Sequence, residues 1–177
     1  MPDIFLDRDG VINRNRADHV KTWREFEFLP GSLEALVRLH YHNYRVFVIT
    51  NQAVISRGLM SHLMLKEIHT RMQQEVFAAG GRIEAVLYCP HHPEDGCDCR
   101  KPQPGLIYQA EKYYGARVKE SWLVGDHISD IMAGNAAGCR TIMVMSGRAT
   151  AVFQTENDGS KTQVVKDLSA AVNLILG

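Results

Sequence analysis

The chain has 177 residues, 45% hydrophobic and 23% charged, which is the size and composition of one globular domain able to bury a core without staples. Twenty basic residues balance twenty acidic ones, so no global field points to nucleic acid or to an anionic membrane surface. The opening Met1-Pro2-Asp3-Ile4 lacks a basic region or a long apolar run, so neither a signal peptide nor a membrane span is expected, and a cytoplasmic location is.

Short apolar runs alternate with amphipathic segments along the chain, the pattern of a parallel sheet wrapped by helices. Ile4-Phe5-Leu6 reads as the first strand. A helix follows Pro30-Gly31-Ser32, with Ser32 as its expected cap and Leu33, Leu36, Val37 and His40 at helical spacing. Arg45 to Ile49 is the second strand. Leu65, Ile68, Met72, Val76 and Ala79 then form the apolar stripe of a helix that starts near Ser61 and stops at Gly80-Gly81. Ala85 to Tyr88, Trp122 to Val124 and Thr141 to Met145 are further strands, with a weaker one at Gln163 to Val165. Helices are expected over Gly105 to Tyr114, Ser129 to Ala137 and Ser169 to Leu176, and a polar loop over Thr155 to Lys161. The strand runs are apolar throughout rather than alternating, as strands covered on both faces require. The stretches from Asn13 to Phe28 and from Asn51 to Lys101 are too short for a separate lid domain, so an open site covered by loops is expected.

Polar residues cluster where these strands end. The first strand delivers Asp7-Arg8-Asp9-Gly10, which reads either as a turn or as an active-site edge. Two carboxylates there suit a hard cation, or a nucleophile beside an acid/base. Thr50-Asn51-Gln52 after the second strand offers a hydroxyl and amides to anionic oxygens, or a helix cap. Arg100-Lys101 supplies cationic groups that could neutralise phosphate or simply face solvent. Gly125-Asp126 follows the fourth strand, with Asp130 at an expected helix start, where it could orient a cation site or stabilise the helix end. Three of the four cysteines fall in one short stretch, and Cys89-x-His91 with Cys97-x-Cys99 offers four ligands of the kind tetrahedral Zn²⁺ prefers. His92 is expected to be a neighbour rather than a ligand, and Cys139 a small core residue.

Taken jointly, Asp-x-Asp-Gly, Thr on the second strand, Lys before a helix and Gly-Asp-x-x-x-Asp after the fourth strand resemble the haloacid dehalogenase superfamily of phosphatases across nearly the whole chain. Phe5 to Asn13, Thr50-Asn51-Gln52, Cys89-Pro90-His91-His92-Pro93 and Cys97 to Pro102 are similar to the heptose 1,7-bisphosphate phosphatases within it, with histidinol-phosphate phosphatases as neighbours. The resemblance implies a three-layer α/β Rossmann-like fold without a large cap, one domain spanning residues 1–177, and a zinc-binding loop at 89–99. It implies Asp7 as nucleophile, Asp9 as acid/base, and Mg²⁺ held by the Asp7 carboxylate, the Asp9 carbonyl and Asp126, with Asp130 behind them. Thr50, Asn51, Gln52, Arg100 and Lys101 would bind the phosphate and substrate, and Zn²⁺ would be structural. The expected partner is a small phosphorylated sugar, with no nucleic acid or membrane, and a monomer is expected. A histidinol-phosphate or other phosphomonoester phosphatase is the alternative, and a non-catalytic zinc-stabilised binding module is the alternative of a different class. Three positions depart from the family pattern: Ala53 in place of Ser, His127 in place of Lys and His19 in place of Tyr.

Overall fold

The computed structural model describes residues 2–148 and 162–177. Its centre is a six-stranded, wholly parallel sheet in the order β3-β2-β1-β4-β5-β6. The strands are β1 (Asp3–Leu6), β2 (Arg45–Asn51), β3 (Ala85–Cys89), β4 (Trp122–Gly125), β5 (Arg140–Val144) and β6 (Gln163–Val165). Among the described residues, five α-helices alternate with them: α1 (Ser32–Tyr41), α2 (His62–Ala78), α3 (Gly105–Tyr114), α4 (Ile128–Ala137) and α5 (Leu168–Leu176). Every strand expected from the apolar runs is present. The expected loop over Thr155 to Lys161 lies outside the described residues.

Alternate residues of the inner strands serve opposite cores, which is why those runs contain no polar positions. Ile4, Leu6, Val46 and Val48 pack with Leu36 and Leu39 of α1, Leu65, Ile68, Met72 and Val76 of α2, and Leu168 and Val172 of α5. Phe5, Phe47, Ile49 and Leu123 pack on the other face with Leu106, Ile107 and Ala110 of α3 and Ala133 of α4. The result is three layers. No helix of the described residues is long and apolar enough to cross a membrane.

Two helix details differ from the sequence reading. Ser32 does not cap α1: Gly31 is the N-cap, with φ 78°, and the buried Ser32 Oγ has no hydrogen-bond partner among the described residues. The left-handed φ explains the preference, because glycine adopts it without a Cβ clash. The buried side of α1 runs through Ala35, Leu36 and Leu39 rather than through His40, which is exposed. In α2, Ser61 accepts from the Met64 amide as expected, while Ala79 is the exposed C-cap and not part of the stripe.

The chain winds from β1 out through β2 to β3, then crosses through α3 to β4 on the other side of β1 and winds the opposite way, which opens a crevice at the carboxyl end of β1. Loops and one 3-10 turn at Trp23–Glu25 lie along Asn13 to Phe28, and no cap domain stands over the crevice among the described residues.

Candidate active site

The carboxyl ends of β1, β2 and β4 and the start of α3 converge on this crevice. Asp7, Asp9, Thr50, Asn51, Lys101, Asp126, His127, Ser129, Asp130 and Arg148 line a cavity of ≈ 40 Å³ at its floor. Outward from it opens a larger one of ≈ 350 Å³ that reaches His19, Arg57, Arg100 and Arg148.

Lys101 is the hub of the floor. Its Nζ donates to Asp7 Oδ1 at 2.7 Å, to the Ile49 carbonyl at 2.8 Å and pairs with Asp130 Oδ1 at 2.6 Å. Burial works against its charge, but Asp130 and Asp7 outweigh burial and hold the ammonium protonated above its usual range. Asp130 meets the helix-end expectation and has a second task, the ion pair with Lys101. Its Oδ2 accepts from the His127 amide at 3.0 Å at the N-terminus of α4, while Oδ1 holds Lys101.

Asp7 and Asp9 sit two residues apart in opposite electrostatic settings. Burial pushes the Asp7 carboxyl well up, and although Lys101 opposes this, the nearby Asp130, Asp126 and Asp9 carboxylates add to it. Burial also acts on Asp9, yet the Arg8 charge and donors from Arg8, Asn13 and Gln52 hold its carboxyl below the ordinary range. Arg8 NH2 reaches both Asp9 oxygens at 2.8 Å, Asn13 Nδ2 donates to Oδ1 at 2.9 Å and Gln52 Nε2 to Oδ2 at 2.9 Å.

Asp126 is held by backbone. The Arg148 amide donates to its Oδ2 at 2.6 Å, and a Cβ at Gly10 or Gly147 would collide with the same carboxylate. Gly10, at φ 91°, also has its carbonyl bonded by Ser146 Oγ at 2.7 Å. The carboxylates of Asp7, Asp126 and Asp130 offer oxygens within 4.8 Å of one another. Burial and Asp130 push Asp126 up as they do Asp7, the signature of a cluster short of positive charge. That donor set of hard oxygens fits Mg²⁺.

The expected amide donors are engaged with protein groups. Asn51 exchanges two bonds with the Lys101 backbone, at 3.0 and 3.1 Å, and Gln52 bridges Asp9 and Thr50 Oγ1. Three arginines in the larger cavity, Arg57, Arg100 and Arg148, make no ion pair with a carboxylate among the described residues. Arg57 lies 3.4 Å from His19 Nε2, and His19 adopts φ 65°, a left-handed conformation rare for a side chain of its size. His127 bonds Ser129 Oγ through Nδ1 at 3.0 Å.

The cysteine loop closes as its spacing suggested. Sγ atoms of Cys89 and Cys97, and of Cys97 and Cys99, lie 3.6 Å apart, and His91 Nδ1 lies 3.5 Å from Cys89 Sγ and 3.2 Å from Cys99 Sγ. A tetrahedron with metal–sulfur bonds of about 2.3 Å has edges of roughly 3.8 Å, so these residues fit Zn²⁺. His92 is outside the cluster and instead caps the 3-10 turn at Pro93–Asp95. Cys139 is a buried free thiol that accepts from Ser121 Oγ at 3.1 Å.

Sequence reasoning missed Asn13 and Arg8 as partners of Asp9, Ser146 to Arg148 beside Asp126, and Arg57. The end of β5 could have been found by the same strand-end rule that found the others. The charges of Arg8 and Arg57 carried no distinguishing signal, since most arginines face solvent.

A family model described as HAD-hydrolase-like matches residues 98–171. The curated D-glycero-beta-D-manno-heptose-1,7-bisphosphate 7-phosphatase of Pseudomonas aeruginosa is 38% identical over 173 residues, covering 98% of this chain and 97% of that protein. The alpha-heptose counterpart of Mycobacterium bovis is 38% identical over 148 residues, covering 80% and 78%. Among solved structures, the D,D-heptose 1,7-bisphosphate phosphatase of B. bronchiseptica, complexed with magnesium and phosphate, superposes with a TM-score of 0.93 at 36% identity, covering 99% of this chain and 98% of that one.

Proposed function

The chain belongs to the heptose-1,7-bisphosphate 7-phosphatases of the haloacid dehalogenase superfamily, and from that premise we propose that it hydrolyses the C7 phosphate of D-glycero-D-manno-heptose 1,7-bisphosphate through an aspartyl-phosphate. The observation that carries the reading is the pairing of a small anionic floor around Asp7 with an outer cavity lined by three arginines that make no ion pair with a carboxylate among the described residues. A phosphoryl group at the floor and a second phosphate at the arginines are what a bisphosphate would present.

Asp7 attacks phosphorus in line, the bond to the sugar oxygen breaks, and Asp9 delivers a proton to that oxygen. Asp9 then takes a proton from the water that opens the aspartyl-phosphate. Its Arg8 ion pair favours the ionised form that the second step needs. The first step needs the protonated form, which the anionic phosphate arriving beside it favours by like-charge repulsion. Thr50 Oγ1 and Lys101 Nζ stand beside Asp7 to hold the transferring oxygens. Asp7 and Asp126 would hold Mg²⁺, which neutralises charge between the nucleophile and the phosphate. The loop of Cys89, His91, Cys97 and Cys99 would hold a structural Zn²⁺ and fix Arg100 and Lys101 just beyond it.

Turnover on the α and β anomers of heptose 1,7-bisphosphate beside histidinol phosphate tests the reading. A bisphosphate kcat/KM at least about 100-fold above that for histidinol phosphate is expected, since a monophosphate brings no second phosphate for Arg57, Arg100 and Arg148 to bind. A preference for histidinol phosphate would overturn the substrate. Asp7→Asn should lower turnover by about three orders of magnitude or more with the fold intact, because it removes the nucleophile.

A further inference from the structure

Arg8 is a fully buried arginine inside the catalytic loop, and only part of its guanidinium serves Asp9. NH2 makes both contacts to the Asp9 carboxylate. NH1 points the other way, to His69 Nε2 on α2, at 3.1 Å. Arginine has donors only, so Nε2 must be the acceptor and the ring proton must sit on Nδ1. Arg8 Nε has no hydrogen-bond partner among the described residues, so the bonds through NH1 and NH2 are what set the plane of the group.

The surroundings of His69 suit it to this role, and its other side lines a separate cavity with His62, Lys66 and Tyr88. It is buried between Leu65 and Met72 of the helix, with Tyr88 of β3 packed against its ring at 5.8 Å between centroids. Tyr88 is in turn fixed by a 2.9 Å bond from its hydroxyl to His62 Nδ1. Burial and the Arg8 charge push the imidazole down to about 3, so it stays the neutral acceptor that Arg8 requires. His69 lines neither the floor of the active site nor the outer cavity.

We propose that His69 is a positioning residue for the phosphatase reaction: by accepting from Arg8 NH1 it holds the guanidinium in the plane that places the Asp9 carboxylate for proton transfer. This rests on the acid/base role assigned to Asp9 above. With the acceptor removed, Arg8 can turn about its last torsion, and Asp9 keeps only Asn13 and Gln52 as fixed anchors. A group that positions a proton donor affects the chemical step, while phosphate binding by Thr50, Lys101 and the arginines stays as it was.

The test compares kcat and KM on heptose 1,7-bisphosphate for the wild-type protein, His69→Leu and His69→Gln, with Asp9→Asn as reference. Inhibition by inorganic phosphate and thermal melting are followed alongside. His69→Leu should lose roughly 10- to 100-fold in kcat, with KM and the phosphate inhibition constant within about twofold, because misplacing a reacting group remotely acts on the transition state. His69→Gln places an amide oxygen where Nε2 was and should recover most of that loss. Unchanged kcat in His69→Leu, equal losses in both variants, or a loss confined to KM would each overturn the proposal. Were Asp9→Asn itself to keep its turnover, the assigned role of Asp9 would fall; loss in Asp9→Asn with none in His69→Leu rejects only the positioning role.

Discussion

Each of the two aspartates of the first loop has one decisive neighbour: Lys101 binds an Asp7 carboxyl that burial and other carboxylates push up, while Arg8 holds Asp9 down. Different environments for chemically identical groups are what a nucleophile and an acid/base need. Gly10 follows them and shows how tightly the loop is fitted. Its φ of 91° disfavours any side chain, and a Cβ there would strike the Asp126 carboxylate. Gly10→Ala should therefore raise the Mg²⁺ concentration needed for half-maximal activity by about tenfold or more, the scale seen when support of a metal ligand is disturbed. A magnesium titration of turnover decides it: an unchanged midpoint would mean that Asp126 is not a ligand. Asp7, Asp9, Thr50, Lys101 and Asp126 were all legible in the sequence, because each follows a strand or opens a helix in a spaced motif. Their hydrogen-bond partners were not. Asn13 and Arg8 become informative only once the chain turns back at Gly10 and brings them onto Asp9.

At the scale of elements, the segment from the end of β3 to the start of α3 does the most with the least regular structure. Cys89 is the last residue of β3, Cys99 immediately precedes Arg100-Lys101, and Gly105 opens α3 so close to the Asp98 carbonyl that a Cβ could not fit. The loop carries a single short 3-10 turn at Pro93–Asp95, so little besides the Cys/His cluster fixes its path. A Zn²⁺ held by the cluster would make loop ordering depend on the metal, its binding free energy becoming local folding free energy. Protein purified without added zinc should contain about one zinc per chain. Cys97→Ser should lower that content, soften the loop and reduce kcat/KM by roughly 10- to 100-fold through displacement of Arg100 and Lys101. Metal analysis with paired kinetics checks this, and a zinc-free protein of normal activity would contradict it. The cluster was readable from spacing. The N-cap of α1 and the C-cap of α2 were not, because Ser32 and Ala79 differ from true cap or stripe residues only through backbone conformation set by their neighbours.

At the scale of the molecule, uninterrupted apolar runs announced a parallel sheet covered on both faces, but no local pattern states that β1 lies between β2 and β4. That order follows from which faces the helices must bury, and it places α2 behind β1 and β2, on the opposite side of the sheet from α3 and α4. This packing is what brings His69 onto Arg8, 61 residues away in sequence. It also ties a buried neutral imidazole to global stability. The His69 pKa falls from 6.5 to about 3 on folding, for burial first and the Arg8 charge second. Below pH 6.5 the unfolded chain takes up a proton that the folded chain refuses, so this contribution is complete above 6.5 and shrinks as pH falls toward 3. Asp7 and Asp126 act with the opposite sign, since their raised carboxyls keep protons in the folded state that the unfolded state has released. Those two are common to wild type and His69→Gln, so the difference between the proteins isolates the imidazole. Going from about pH 7.5 to about pH 5, wild type should lose about 2 kcal/mol of stability relative to His69→Gln. Denaturant unfolding at both pH values measures it. A difference that does not change with pH would mean that the imidazole protonates as easily folded as unfolded, and that Arg8 does not hold it as a neutral acceptor.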